Sequence, residues 1–561
     1  MSHEWSAMSL RSVRRAIRAA ALPAALLLNS TSLGAQQHAE PFAGHTYQPG
    51  IDVLDYDVTL ELPDTGATIR GDVTVTARRM AGVNVLRLDL VRSLSVRQVQ
   101  LDGRTVSATR EDDALRIPLE GAAGDSVQVR VHYDGVVRDG LIVRKDARGR
   151  WTWFGDNWPN RARQWLPTVD HPSDKATVSW TVRAPAGRTV VANGTLVGAR
   201  RLGGRDAGRT ETRWREAHPV PTYVMVIGAG PLVQVPIPGG ECPDSAGAGC
   251  VRQSVYVLPE NRDWMPGPFS AAPRIVALFE RMVGPFPYEK LAHLQSETRF
   301  GGMENAGAIF YASDLFPSHR MSEGLIAHET AHQWFGDAVT EREWAHLWLS
   351  EGFATYFATL WTRESRGDSA WRAELAGIRR QVMTDSVVQV RPVLDTAQTN
   401  YLELLNANSY QKGGYVLAML HRMLGDSAFF GGLRAYYAEH RDGNVLTDDL
   451  RRALERSSGR PLGQFFDQWL RRPGVAEPTI GWAYDASSAS VSVLVVQDPA
   501  RSYALPLIVE VTDAAGMTRR VEVAIPAAPR AELTLPGRFA ARPVSIVFDP
   551  DLFLLARISR P

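Results

Sequence analysis

His328-Glu329-Thr330-Ala331-His332 lies inside the run 324–337, Gly-Leu-Ile-Ala-His-Glu-Thr-Ala-His-Gln-Trp-Phe-Gly-Asp, whose apolar residues recur at helical spacing. Residues four apart share one face of a helix, so both imidazoles can reach a single metal ion. The alternative is a core or solvated helix whose histidines are satisfied by hydrogen bonds. After 18 intervening residues comes Glu351, in Trp348-Leu349-Ser350-Glu351-Gly352-Phe353-Ala354, which opens a second helical pattern. Its setting among Trp348, Leu349, Phe353 and Tyr356 argues against a surface carboxylate. Two neutral imidazoles and one carboxylate leave a fourth tetrahedral position for water, which is the catalytic rather than the structural arrangement of Zn²⁺. His328, His332 and Glu351 are therefore the candidate ligands for one zinc per chain, and Glu329, next to a ligand but not one itself, is the candidate general base.

Working outward from this motif, the pattern stays helical from Ala272 to Val283, Leu347 to Ser365, Ala370 to Thr384, Ser409 to Leu424 and Asp448 to Leu470. Before residue 260 and after 474 it changes. Period-two runs such as Asp57-Val58-Thr59-Leu60-Glu61-Leu62, Asp72-Val73-Thr74-Val75-Thr76-Ala77 and Ser490-Val491-Ser492-Val493-Leu494-Val495-Val496 predict antiparallel strands between Gly, Pro and Asp turns. The expected fold class is thus α+β and multidomain. Residues 36–259 are an N-terminal antiparallel β domain, 260–474 a mostly α catalytic domain and 475–561 a C-terminal β-sandwich.

At 561 residues the chain exceeds what one core usually supports. Its 62 Lys+Arg nearly balance 61 Asp+Glu, and with 44% hydrophobic residues it reads as globular and not as a nucleic-acid binder. Arg11, Arg14, Arg15 and Arg18 precede an apolar stretch, Ala19 to Leu28, and then Asn29-Ser30-Thr31-Ser32, the order of a signal peptide spanning 1–35 with cleavage near Ala35. The expected location is periplasmic or secreted, with no stable membrane span after cleavage. The alternative is an N-terminal anchor, although the apolar run is short of the roughly 20 residues that cross a bilayer. Cys242 and Cys250 flank a small polar loop and predict a local disulfide in an oxidising compartment, the alternative being two free thiols.

The metal motif with its spacing to Glu351, Gly301-Gly302-Met303-Glu304-Asn305 upstream, and Tyr410-Gln411-Lys412-Gly413 downstream together resemble the gluzincin aminopeptidases, the group of membrane alanyl aminopeptidase and leukotriene hydrolase. The resemblance covers nearly the whole chain after the leader and implies a thermolysin-like catalytic domain that removes N-terminal residues from peptides with a free N-terminus. It implies that Gly301, Gly302, Met303, Glu304 and Asn305 bind substrate. Two glycines permit close approach of a backbone, and the Glu304 carboxylate can pair with an α-ammonium group. It implies further that Tyr410 donates to the oxyanion, with Tyr401 and Tyr415 as neighbouring competitors. An endopeptidase with the same zinc machinery, a non-catalytic peptide-binding protein and an epoxide-hydrolase activity are the rival readings.

The pattern departs from the family in three places. A Gln or Glu that contacts the substrate amine in relatives would fall near Trp158, leaving Asp156 or Asn157 as substitutes. Thr168 replaces a cysteine in Pro167-Thr168-Val169-Asp170-His171-Pro172. A long helical domain that closes the cleft in larger members has no counterpart after the β-sandwich, so the basic residues it carries in relatives are not transferred.

Overall fold

The structure, a computed structural model, describes residues 47–119, 126–242, 250–265 and 267–561. The leader peptide expected at 1–35 lies outside the described residues. Among the described residues no helix is long and apolar enough to cross a membrane.

The N-terminal unit is built on an eight-stranded sheet with the order 195–201, 209–221, 175–185, 51–61, 68–79, 126–136, 94–101, 104–105. Alternation drives it: Val73, Val75 and Ala77 are fully buried while Asp72, Thr74 and Thr76 between them are only partly covered. One pair departs from the antiparallel expectation. Ile51–Glu61 runs parallel to Lys175–Pro185, with Val58 opposite Trp180. Parallel neighbours need a long connection between them, and residues 62–174 supply it. A four-stranded sheet, ordered 189–192, 227–230, 151–155, 141–145, packs beside this one and delivers residues 156–165 toward the centre of the molecule.

The central unit contains a five-stranded sheet, ordered 233–236, 252–257, 290–296, 308–312, 302–303. Strand Arg252–Val257 pairs in parallel with Lys290–Ser296, so residues on both sides of position 259 share one sheet. The boundary expected at 259/260 thus falls between two paired strands of one sheet.

The described residues hold seven α-helical elements: α1 (Ala272–Met282), α2 (Glu323–His332), α3 (Trp348–Thr384), α4 (Ser386–Val390), α5 (Gly413–His440, broken at Gly425), α6 (Thr447–Ser458) and α7 (Gly463–Leu470). The patterns expected at 347–365 and 370–384 are two helices that meet at Gly367, whose φ of 83° and ψ of 172° are not helical; α3 denotes the pair. The run expected at 448–470 divides instead, because Gly459 takes a left-handed conformation (φ 66°) and caps α6.

The C-terminal unit consists of two three-stranded sheets, 479–485, 490–496, 530–534 and 518–525, 505–512, 545–548. Val491, Val493 and Val495 of one and Leu505, Leu507 and Val509 of the other are buried, as facing inner surfaces require. Arg379 of α3 ties this unit down by donating to the carbonyls of Leu554 and Ala556, both at 2.8 Å. The N-terminal unit is pinned by Lys175. Its Nζ donates to the carbonyls of Asp337 (2.9 Å), Ala338 (2.8 Å) and Gly443 (3.3 Å), and burial lowers its pKa to about 7. Cys242 and Cys250 are joined in a disulfide.

Candidate metal centre and cleft

Ser322 caps α2 by accepting from the Leu325 amide at 3.2 Å, which starts the helix so that His328 and His332 face one side. Their Nε2 atoms lie 3.2 Å apart. From the start of α3, Glu351 brings Oε2 to 3.2 Å from His328 Nε2 and 3.4 Å from His332 Nε2. Three ligand atoms thus converge on one point. On the far side of its ring, His332 Nδ1 lies 3.2 Å from the Phe335 carbonyl and 2.9 Å from Ser350 Oγ. A carbonyl can only accept, so Nδ1 carries the proton and the lone pair of Nε2 points at Glu351 and His328.

A cation between the His332 lone pair, the Glu351 carboxylate and His328 Nε2 would satisfy all three buried groups at once, and this donor set suits Zn²⁺. The field agrees. Burial opposes charge on His332, yet Glu304, Glu351 and Glu329 outweigh it and hold its pKa well above the usual range. Burial would push the Glu351 carboxyl up, but the two imidazoles pull it down to about 2.

Glu329 and Glu304 approach the same point from another side, each with a carboxylate oxygen within 4.8 Å of a His332 ring nitrogen. Burial raises both carboxyl pKa values. Glu329 lies flat against the backbone of Gly302: a Cβ at that position would fall 2.2 Å from its Oε1. Here glycine is required by contact and not by a turn. The short strand Gly302–Met303 pairs with Ala308–Ala312. Gln333 holds the segment after it, donating to the Glu304 carbonyl (2.8 Å) and accepting from the Gly307 amide (2.8 Å).

Tyr410 comes from a π-helical turn, Asn408–Lys412, just before α5. Its hydroxyl donates to Glu351 Oε1 at 2.8 Å, and its ring lies nearly parallel to that of His328, 9° apart at 6.0 Å. Its two competitors are elsewhere. Tyr415 donates to the Leu552 carbonyl in the C-terminal unit, and Tyr401 packs against Trp344.

The cleft in front of these groups encloses about 540 Å³ including its open mouth. Gly301, Gly302, Met303 and Glu304 line it together with His328, Glu329, His332, Glu351 and Tyr410. Asn305 is not part of the wall. It is fully buried, two residues past the short strand Gly302–Met303 that lines the cleft.

Trp158, Phe300, Leu325 and Leu405 complete the lining. Sequence reasoning did not assign them to the cleft, because isolated apolar residues carry no signal that separates a cavity wall from a core. Neither Asp156 nor Asn157, the expected substitutes for an amine contact, lines the cleft. The Asn157 amide donates to Thr222 and Met225 carbonyls and accepts from Trp165 Nε1, while Asp156 is buried and ion-paired with Arg161 at 3.1 Å and Arg299 at 3.6 Å.

The chain is similar to known proteins over both its N-terminal and its central units. Residues 270–469 match the model of the peptidase family M1 domain, and residues 53–224 match the peptidase M1 N-terminal domain. Aminopeptidase N of Streptomyces lividans is 28% identical over 459 residues, covering 76% of this chain and 50% of that protein. Tricorn protease-interacting factor F2 of Thermoplasma acidophilum is 28% identical over 413 residues, 69% of this chain and 49% of its own. The chain therefore spans about half the length of the curated relatives it matches. Among solved structures, the M1 zinc metallopeptidase of Deinococcus radiodurans superposes with a TM-score of 0.65 at 28% identity, over 75% of this chain and 93% of that one. A mutant of the same peptidase bound to a Tyr-Ser-Ala substrate gives the same TM-score at 27% identity, over 75% and 94%.

Proposed function

Because the chain belongs to peptidase family M1, we propose that it is an exported zinc aminopeptidase releasing single N-terminal residues from peptides. The observation that carries this reading is the nearness of Glu304 to the ligand set, within 4.8 Å of His332 through their ligand atoms. A carboxylate there holds an α-ammonium about one residue's length from the point where the ligands converge, which fixes cleavage at the first peptide bond.

Zinc held by His328, His332 and Glu351 would supply a Lewis acid that polarises a carbonyl and acidifies water. The chain's own groups do the rest. Glu329 takes the proton of the attacking water and hands it to the leaving amine, a transfer suited to a carboxyl whose pKa burial has raised. Tyr410 keeps its proton, since burial and Glu351 raise its pKa well above the usual phenol range, and by turning its hydroxyl from Glu351 Oε1 it donates to the oxygen on which charge develops. Gly301 and Gly302 let the substrate backbone lie against the cleft wall. The Arg-rich segment before Ala19–Leu28 and the Cys242–Cys250 disulfide support export.

The test is hydrolysis of aminoacyl amides and of their N-acetylated forms, with and without a chelator. Chelator-sensitive turnover confined to free amines is expected. Equal turnover of acetylated substrates would make the protein an endopeptidase.

A further inference from the structure

Beside the ligand set, Glu304, Glu329 and Tyr410, the cleft is lined by five uncharged apolar residues, Trp158, Phe300, Met303, Leu325 and Leu405. With the amine at Glu304 and the first carbonyl directed to the ligand set, the first residue's side chain is the part of the substrate left to meet these apolar residues.

Trp158 is the largest of these residues and is held by several contacts. Its ring meets Phe300 edge-on (6.0 Å, 89°) and Trp344 (5.3 Å, 68°), and Trp344 packs in turn on Tyr223 (5.2 Å). Its carbonyl accepts from Arg161 Nε at 2.7 Å, and the preceding Asn157 makes three buried hydrogen bonds. No carboxylate beside it is free for a basic side chain, since Asp156 is buried and paired with Arg161 and Arg299. An acidic side chain would meet the field of Glu304, Glu329 and Glu351.

We propose that Trp158, with Phe300 and Leu405, makes the enzyme selective for peptides whose first residue is large and apolar, aromatic residues above all. An indole wall supplies both area and edge-to-face contact for a ring, while a small first residue leaves that wall uncovered. The inference rests on the aminopeptidase reading and specifies its substrate class.

The experiment uses the zinc-loaded full chain and a panel of Phe, Tyr, Leu, Ala, Arg and Glu amides. For the wild type, kcat/KM on Phe and Leu amides should exceed that on Ala, Arg and Glu amides by about tenfold or more. In Trp158→Ala the Phe-to-Ala ratio should fall by about tenfold, and Trp158→Phe should keep part of the preference. The same ordering should appear in calorimetric affinities of Phe and Ala amides for Glu329→Gln, which reads binding apart from turnover.

A wild type that favours Ala, Arg or Glu overturns the inference whether or not Trp158→Ala folds. So does a folded, active Trp158→Ala whose ratio is unchanged. In both cases turnover persists and the aminopeptidase reading stands. A zinc-loaded wild type that cleaves none of the panel overturns that reading, and this inference with it.

Discussion

Glu329 is a buried carboxyl set against the backbone of Gly302, within 4.8 Å of His332 through their ligand atoms but outside the candidate ligand set. Replacing it by Gln keeps its shape and removes its basicity. Glu329→Gln should retain zinc by elemental analysis and lose about 10²- to 10⁴-fold in kcat; full turnover with full zinc would assign the proton transfer to another group. Tyr410→Phe removes one donor and leaves the stacked ring, so kcat should fall about 10²- to 10³-fold with KM little changed. The corresponding changes at Tyr401 and Tyr415, neither of which lines the cleft, should leave kcat within a few-fold. At this scale the sequence was most legible where spacing is local. His328 and His332 share a face by helical geometry alone. Choosing Tyr410 among three tyrosines required the family motif, because nothing in composition distinguishes a hydroxyl aimed at Glu351 from one aimed at a carbonyl.

At the scale of elements, the Tyr410–Glu351 contact depends on how closely the π-helical turn approaches α3. Gly352 and Gly413 make that approach: a Cβ on Gly352 would fall 2.9 Å from the Gly413 carbonyl carbon. Backbone cannot yield as a side-chain tip does. Gly352→Ala should therefore destabilise the protein by about 1–3 kcal/mol in denaturant melts. It should also lower kcat more than it raises KM, with zinc content checked first.

The π turn itself was not legible. The run from Ser409 has the spacing of a helix, and a single extra residue in one turn leaves no periodic trace, although it changes where Tyr410 points. The end of α2 was missed for a related reason. Apolar residues continue to Asp337, but Gly336 adopts a φ of 120° and the chain turns away after His332 while staying buried.

Across the whole molecule, the β and helical units were separable by period, since alternation and helical spacing are different signals. The boundary between them was not, because a strand at 252–257 looks the same whichever sheet receives it. The same limit concealed Trp158, which stands in the N-terminal unit yet walls a cleft built by the central one.

The junction of these units also buries Glu341, and that burial, above all other causes, pushes its carboxyl up to about 8 from an ordinary 4.5. Between those values the unfolded chain has lost the proton and the folded one keeps it. The folded state binds more protons there, so stability falls as pH rises through this window and levels off above it. Glu341→Gln removes the term. Between pH 5 and pH 8 the wild-type Tm should drop more than that of the variant, and parallel curves would place the buried proton elsewhere.

Lys175 can serve as a natural reporter. Its amine is enclosed by three carbonyls of the central unit, so an acylating reagent reaches it only when the two units part. Acylation of Lys175, followed by mass spectrometry along a denaturant series, would therefore time undocking separately from loss of helix. Because Trp158 moves with the same unit, labelling should rise in step with the loss of selectivity for large first residues, ahead of the fall in far-ultraviolet circular dichroism.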